Sequence, residues 1–442
     1  MMWPYYTIFS LGLLGASPFL LWREKARAGL KQKLGVVPHR VKSTAANNDK
    51  RIWFHAVSVG EFNATLPLLD AFRQKHPEYA VFVSTATATA QRLAHDKIGE
   101  WASIFYFPLD VPWALNNWLN AIKPQVAVIS ETELWPGFTH ECQQRGIKLC
   151  IANGRISPRS FKRYQMIHPL FAFVLERFDA IAAQSDIEAK RYRDLGANPQ
   201  AVFACGNMKF DGIKALNTEG QAKLREEIGL KDEFVIVGGS THEGEESALL
   251  NALEMQPNNT RLIIAPRHPE RFQRVCDIIE SHGCRARRYS AADRFEQLND
   301  VYVIDTIGHL MAFYSLASVA FVGGTIAPIG GHSLIEPFAY SIPVVCGPHV
   351  EKTRDVARSL LERNALIQVR TPRELGVEIA RIAQNPAERL RLGAAGRAYL
   401  SDSQGAVART LSVLESLLQE VQSSTLTQLN NEVERAAVGA QR

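Results

Sequence analysis

Four residues of this chain have types and positions suited to chemistry: Glu61, Glu131, Glu133 and Lys209. Glu61 closes the string HAVSVGE. A short apolar run is followed by Ser58-Val59-Gly60, and helical spacing then begins at Phe62, Leu66, Leu69 and Phe72. That order predicts strand, tight turn and helix, and in an open α/β sheet the turn after a strand's carboxyl end faces the ligand crevice. Gly60 lets the backbone approach a ligand, and Glu61 projects from the first helical turn, where it either meets the ligand or only complements the helix dipole, worth ~0.3–1 kcal/mol. In ETELWP a second buried strand delivers Glu131 and Glu133 to the same edge. Carboxylates so placed are uncommon unless paired or functional; the alternative is a helix cap before Leu134-Trp135-Pro136. In GNMKFD, Lys209 is placed to hold a phosphate as a point charge or to form a surface salt bridge.

The second half repeats the pattern with more glycine. Gly238 to Glu246 reads GGSTHEGEE, a small-residue turn entering an acidic helix start, whose backbone N–H groups suit an anion. It is neither the G-x-G-x-x-G fingerprint nor a P-loop. PRHPER follows a strand and places Arg267 for bidentate phosphate contact. Gly323-Gly324-Thr325 and Gly330-Gly331-His332-Ser333-Leu334-Ile335-Glu336-Pro337 form another strand-to-helix turn. His332 and Glu336, four apart, share a face if a helix has begun. Such turns gathered on one edge predict a phosphorylated ligand, a nucleotide by preference, held mostly by this half.

Positioning these groups requires an alternation of strands and helices, and the chain supplies it. Apolar runs predict strands at 52–57, 80–84, 104–107, 126–130, 149–152, 180–183 and 202–204, and again at 234–238, 261–265, 301–304, 319–322, 344–346 and 366–369. Helical spacing lies between them, which argues for two doubly wound parallel sheets. Residues 371–418 read as helices only, and 420–442 as a frayed helix or polar tail. Of 442 residues, 46% are hydrophobic and 21% charged, with a net charge of +5, an ordinary globular balance. Basic-aromatic interleaving that would mark a nucleic-acid surface is missing. Six scattered cysteines carry no C-x-x-C pair, so neither a disulfide framework nor a metal site is expected, and a reducing compartment fits. Residues 1–22 hold no charge, with Trp3, Tyr5, Tyr6 and Trp22 towards the ends. From Arg23 to Arg51 nine Lys/Arg stand against two acids. The pattern predicts a membrane segment, spanning or interfacial, with the bulk of the protein on the cytoplasmic side. The expected plan is anchor 1–22, basic linker 23–50, one Rossmann-like domain over 51–211, a second over 212–419, and a tail from 420.

HAVSVGE, ETELWP, ANGRIS (152–157), GNMKFD, STHEGEE, PRHPERF and FVGG…GGH…E together resemble the Kdo transferases (3-deoxy-D-manno-oct-2-ulosonic acid transferases). The resemblance runs from about residue 52 to about 400, with the apolar N-terminus besides. It implies a metal-independent inverting glycosyltransferase of GT-B type, two Rossmann-like domains facing each other across a cleft, needing no cofactor, at the cytoplasmic face of the inner membrane. It further implies transfer of Kdo from CMP-Kdo to a lipid A precursor, lipid IV(A), in lipopolysaccharide biosynthesis. By the same resemblance Glu61 is the general base, and Glu131 and Lys209 stabilise the transition state. The donor lies against Pro266, Arg267 and His268, the turn Ile307-Gly308-His309, and Ser333, Leu334, Ile335 and Glu336. The chain departs from the family pattern at His309, where a glutamate is usual, and at Ser333-Leu334-Ile335, where Asn-Pro usually precedes Leu-Glu. Other readings are a related transferase with another nucleotide sugar or lipid, a nucleotide-sugar epimerase, and an inactive membrane-bound sugar-phosphate binder.

Overall fold

The computed structural model describes residues 2, 5–7, 9–12, 27–213 and 215–439, with side chains through 423. The chain forms two compact units, Met1–Gly212 with Gln404–Arg442, and Ile213–Ser403. Each is built on a seven-stranded, all-parallel sheet.

In the first unit the strands are β1 (Arg51–His55), β2 (Ala80–Thr85), β3 (Ser103–Tyr106), β4 (Val126–Ser130), β5 (Lys148–Gly154), β6 (Ala180–Ala183) and β7 (Val202–Ala204). Their order is β3-β2-β1-β4-β5-β6-β7, so the winding reverses between β1 and β4. Strands buried on both faces need apolar side chains on both, which is why β4 reads VAVIS and every residue of it is buried. Trp53, Phe82, Phe105, Trp118 and Phe138 fill one side of this sheet; Phe54, Phe62, Leu69 and Phe72 fill the other.

The second unit carries β8 (Phe234–Thr241), β9 (Thr260–Pro266), β10 (Arg285–Arg288), β11 (Asp300–Val303), β12 (Val319–Val322), β13 (Val344–Cys346) and β14 (Leu366–Gln368). The order β10-β11-β9-β8-β12-β13-β14 reverses between β8 and β12. β10 reads RARR and lies outside every apolar run; it is an edge strand whose arginines pair with Glu296 and Asp300.

Two parts of the expected plan differ, and a third lies largely beyond the described residues. The helix Ala406–Gly439 does not end the second domain but returns to the first, where Ala406, Leu411, Leu414, Leu417 and Leu418 complete the core beneath Phe62 and Phe72. Asp211 fastens its start, its carboxylate accepting from the backbone N–H groups of Gly405 (2.7 Å) and Val407 (2.5 Å). Within the expected basic linker, the helix His39–Ala46 buries Val41 and Ala45 in the first core. The expected anchor, 1–22, falls largely outside the described residues. Tyr5 and Tyr6, read as interfacial anchors, donate their hydroxyls to Asp110 (2.6 Å) and Glu141 (3.3 Å) of the first unit. Among the described residues no helix is long and apolar enough to cross a membrane.

Candidate active site

Where the winding reverses, adjacent crossover helices pass to opposite faces and leave a crevice at the carboxyl ends of the two strands. In the first unit those strands are β1 and β4, and they are the ones followed by Glu61 and Glu131. Ser58 caps the helix Val59–Lys75 by accepting from the Glu61 N–H, while its hydroxyl donates to Glu61 Oε1 at 2.9 Å. Glu61 Oε2 accepts from the Val57 N–H at 2.9 Å. This is a variant of the capping box, reaching one residue further back than usual. The carboxylate is thus oriented by the turn that carries it. Burial raises its pKa above the ordinary carboxylate value, the Val57 and Ser58 hydrogen bonds oppose that, and the charges of Glu131 and Glu133 add to it.

Glu131 leaves β4 in the left-handed region, φ 57°, a conformation that costs a non-glycine residue on the order of 1–3 kcal/mol. Tyr192, fully buried, donates its hydroxyl to the Glu131 carbonyl at 3.0 Å, and the Glu131 N–H donates to Ala152. The turn aims the carboxylate at Lys209, with Nζ 2.9 Å from Oε1. An exposed ion pair of this kind contributes only ~0–1 kcal/mol. The pair therefore does not offset the backbone strain that creates it, and such an imbalance is characteristic of functional sites. Lys209 sits in the single turn Met208–Phe210, which is held by Asn207 and by Asn153, whose Oδ1 accepts from the Met208 N–H at 3.0 Å. Asn153 is itself left-handed (φ 57°) and 1% exposed. ANGRIS thus contributes through Asn153, a positioning part that spacing alone did not single out.

In the second unit the reversal lies between β8 and β12, whose ends carry Ser240-Thr241-His242 and Gly323-Gly324-Thr325. The sequence suggests an external anion on these glycine-rich turns; the structure supplies an internal one. Glu245, fully buried, accepts from five backbone N–H groups, those of His242, Gly324, Thr325, Ile326 and Ala327, at 2.8–3.0 Å. Its neighbour Glu246, equally buried, takes a two-pronged contact from Arg271 at 2.9 and 3.0 Å. The acidic string is therefore the frame of the turn, a role no local pattern announces.

No helix has begun at His332. Gly330 and Gly331 hold φ 95° and 84°, and the first turn is the 3-10 segment Glu336–Tyr340, so His332 and Glu336 do not share a helix face. His332 instead meets His242, Nε2 to Nε2 at 2.8 Å with the rings parallel, and His268 stands edge-on to His242 at 5.4 Å. Burial lowers the His332 pKa to about 4, and the charge of Arg267 pushes the same way. Burial raises Glu336, against a hydrogen bond from Ser333 and the charge of Arg267. Pro266 ends β9, and the Arg267 N–H donates to Thr241. Ile307 is 81% exposed, Gly308 has φ 92°, and His309 bonds Thr306 at 2.9 Å. Leu334 and Ile335 bury their side chains, leaving their backbone as what a ligand can meet. Among the described residues no group of three or more His, Cys, Asp or Glu side chains is placed to hold a metal ion.

Residues 28–212 match the family model "3-Deoxy-D-manno-octulosonic-acid transferase (kdotransferase)". A 3-deoxy-D-manno-octulosonic acid transferase of Haemophilus influenzae is 33% identical over 377 residues, 83% of this chain and 87% of that one. One of Bordetella pertussis is 29% identical over 93% of this chain and 99% of its own. Among solved structures, the UDP-GlcNAc 2-epimerase of Neisseria meningitidis covers 84% of this chain and all of its own, at TM-score 0.56 and 10% identity. That likeness shows the GT-B type of fold and no more. On the agreement between motif, family model and full-length relatives, the chain belongs to the 3-deoxy-D-manno-octulosonic acid transferases, a family of glycosyltransferases.

Proposed function

We propose that the protein transfers Kdo from CMP-Kdo to a lipid A precursor, lipid IV(A), at the cytoplasmic face of the inner membrane, with inversion at the anomeric carbon. An acceptor hydroxyl attacks that carbon while its proton passes to Glu61, and the bond to the CMP phosphate breaks. Glu61 suits the base role because two of the four lone-pair sites of its carboxylate are used for orientation and two are left for the proton. Glu131 and Lys209 steady charge around the base. In the second unit Arg267 and His268, the exposed turn Ile307–His309 and the segment 333–336 receive the nucleotide. Arg267 supplies the cation that a departing phosphate needs. Base and cations cover the charge development without a metal, so transfer is expected to persist in excess EDTA; loss on chelation with recovery on adding a divalent ion would overturn this part.

The observation that carries the reading is the half-buried, raised and doubly oriented Glu61 at the reversal point, in a chain of this family. Glu61→Gln preserves shape but not basicity. Turnover should fall by ~10²–10⁴-fold, the usual worth of general-base catalysis, while CMP binding and melting temperature change little. Near-normal turnover would sink the assignment.

A further inference from the structure

The helices Pro158–Met166 and His168–Leu175 form a hairpin on the first unit whose tip does not pack. Phe161, Tyr164 and Phe173 hold it to the core, and Tyr164 stacks on Phe171 at 3.8 Å. Met166 at the turn is 83% exposed, Ile167 49% and Leu170 44%. Arg159, Lys162 and Arg163, all exposed, lie along the helix that leads to this tip, and none has an ion-pair partner among the described residues. No acidic residue occurs from 142 to 175. We propose that this hairpin is a second membrane contact, its apolar tip entering the headgroup region of an anionic bilayer while the three cations of its first helix lie against the lipid phosphates.

The chemistry selects the occupant. Three protruding apolar side chains with unpaired cations on the helix beside them match the layered apolar and anionic structure of a lipid surface. A second copy of this chain would oppose the same three positive charges to each other. The location agrees: the hairpin packs on the helix Pro136–Gln144, and Tyr6, from the charge-free start of the chain, bonds Glu141 of that same helix. The proposal stands apart from the catalytic assignment, since vesicle contact is read without turnover.

The test uses the full chain with Cys284→Ser, the other five cysteines being buried, and Met166→Cys carrying an environment-sensitive fluorophore. A second sample carries the label at Glu100→Cys, exposed beyond the opposite edge of the sheet. With vesicles of phosphatidylglycerol and phosphatidylcholine, the label at 166 should shift to the blue and be quenched by shallow spin-labelled lipid, and the label at 100 should not. Pure phosphatidylcholine or high salt should weaken the effect. Arg159→Gln with Lys162→Gln should lower partitioning on the order of thirtyfold, from about 1 kcal/mol per cation. A vesicle-bound protein whose label at 166 stays in water overturns the proposal, as does failure to bind vesicles. A shift that follows protein concentration without lipid assigns the tip to a second copy and overturns it as well.

Discussion

Glu61 serves two purposes that pull in opposite directions. As a cap it is best ionised; burial and the nearby charges of Glu131 and Glu133 favour its protonated form and raise its pKa. A group whose folded pKa is raised contributes stability that is present below its unfolded pKa and lost as pH rises through the folded one. The ionised base is therefore held at a cost to the fold. Turnover should rise with pH on a limb lying above the ordinary carboxylate range. Glu133→Gln, which removes one of the charges that raise Glu61, should move that limb to lower pH in a pH–rate profile; an unmoved limb would show that Glu61 does not titrate there. Arg267→Ala should weaken CMP binding by roughly 1.5–3 kcal/mol, the range for a hydrogen bond to a charged group, as read by calorimetric titration, with the fold intact because its side chain is exposed.

Among the elements, the turns depend on a buried carboxylate as well as on glycine, since a Cβ at Gly323 would run into the Ser240 carbonyl oxygen. Glu245→Ala would strand five backbone N–H groups of the β8 and β12 turns. At ~1–3 kcal/mol for each group left unsatisfied and dry, the loss should be at least ~3 kcal/mol in denaturant unfolding even if some groups find water. Sequence made most strands legible because a doubly covered parallel sheet needs uninterrupted apolar runs, and 126–130, 180–183, 202–204, 319–322 and 344–346 were bounded to the residue. It missed β10 because an edge strand can satisfy its ladder on one side and spend its side chains on ion pairs, as Arg285 and Arg287 do. The edge that bears Glu61, Glu131 and Lys209 was readable from strand-then-turn order. Asn153, Tyr192 and Glu245 were not, because they act through backbone groups 55, 61 and 79–82 positions away in the chain.

For the whole molecule, periodicity identifies the helix Ala406–Gly439 but cannot say which core it serves. Leu414 is fully buried against the first sheet's helices, so Leu414→Ala should cost about 2–5 kcal/mol. Ending the chain at Ser403 should abolish the unfolding transition of the first unit in calorimetry and leave that of 213–403; retention of both would contradict the division. The return of this helix also has a consequence for synthesis. The apolar face carrying Phe62, Leu69 and Phe72 is made early, but its cover follows only after the whole intervening unit, 213–403, has been translated. At ~5–20 residues per second that delay is on the order of ten to forty seconds. The inserted unit can then finish folding before the one that begins the chain, reversing the usual N-to-C order. Ribosome-bound chains stalled after Ser403 should resist protease over 213–403 while remaining open over 51–212, and a bare apolar face of this kind is where a chaperone would wait.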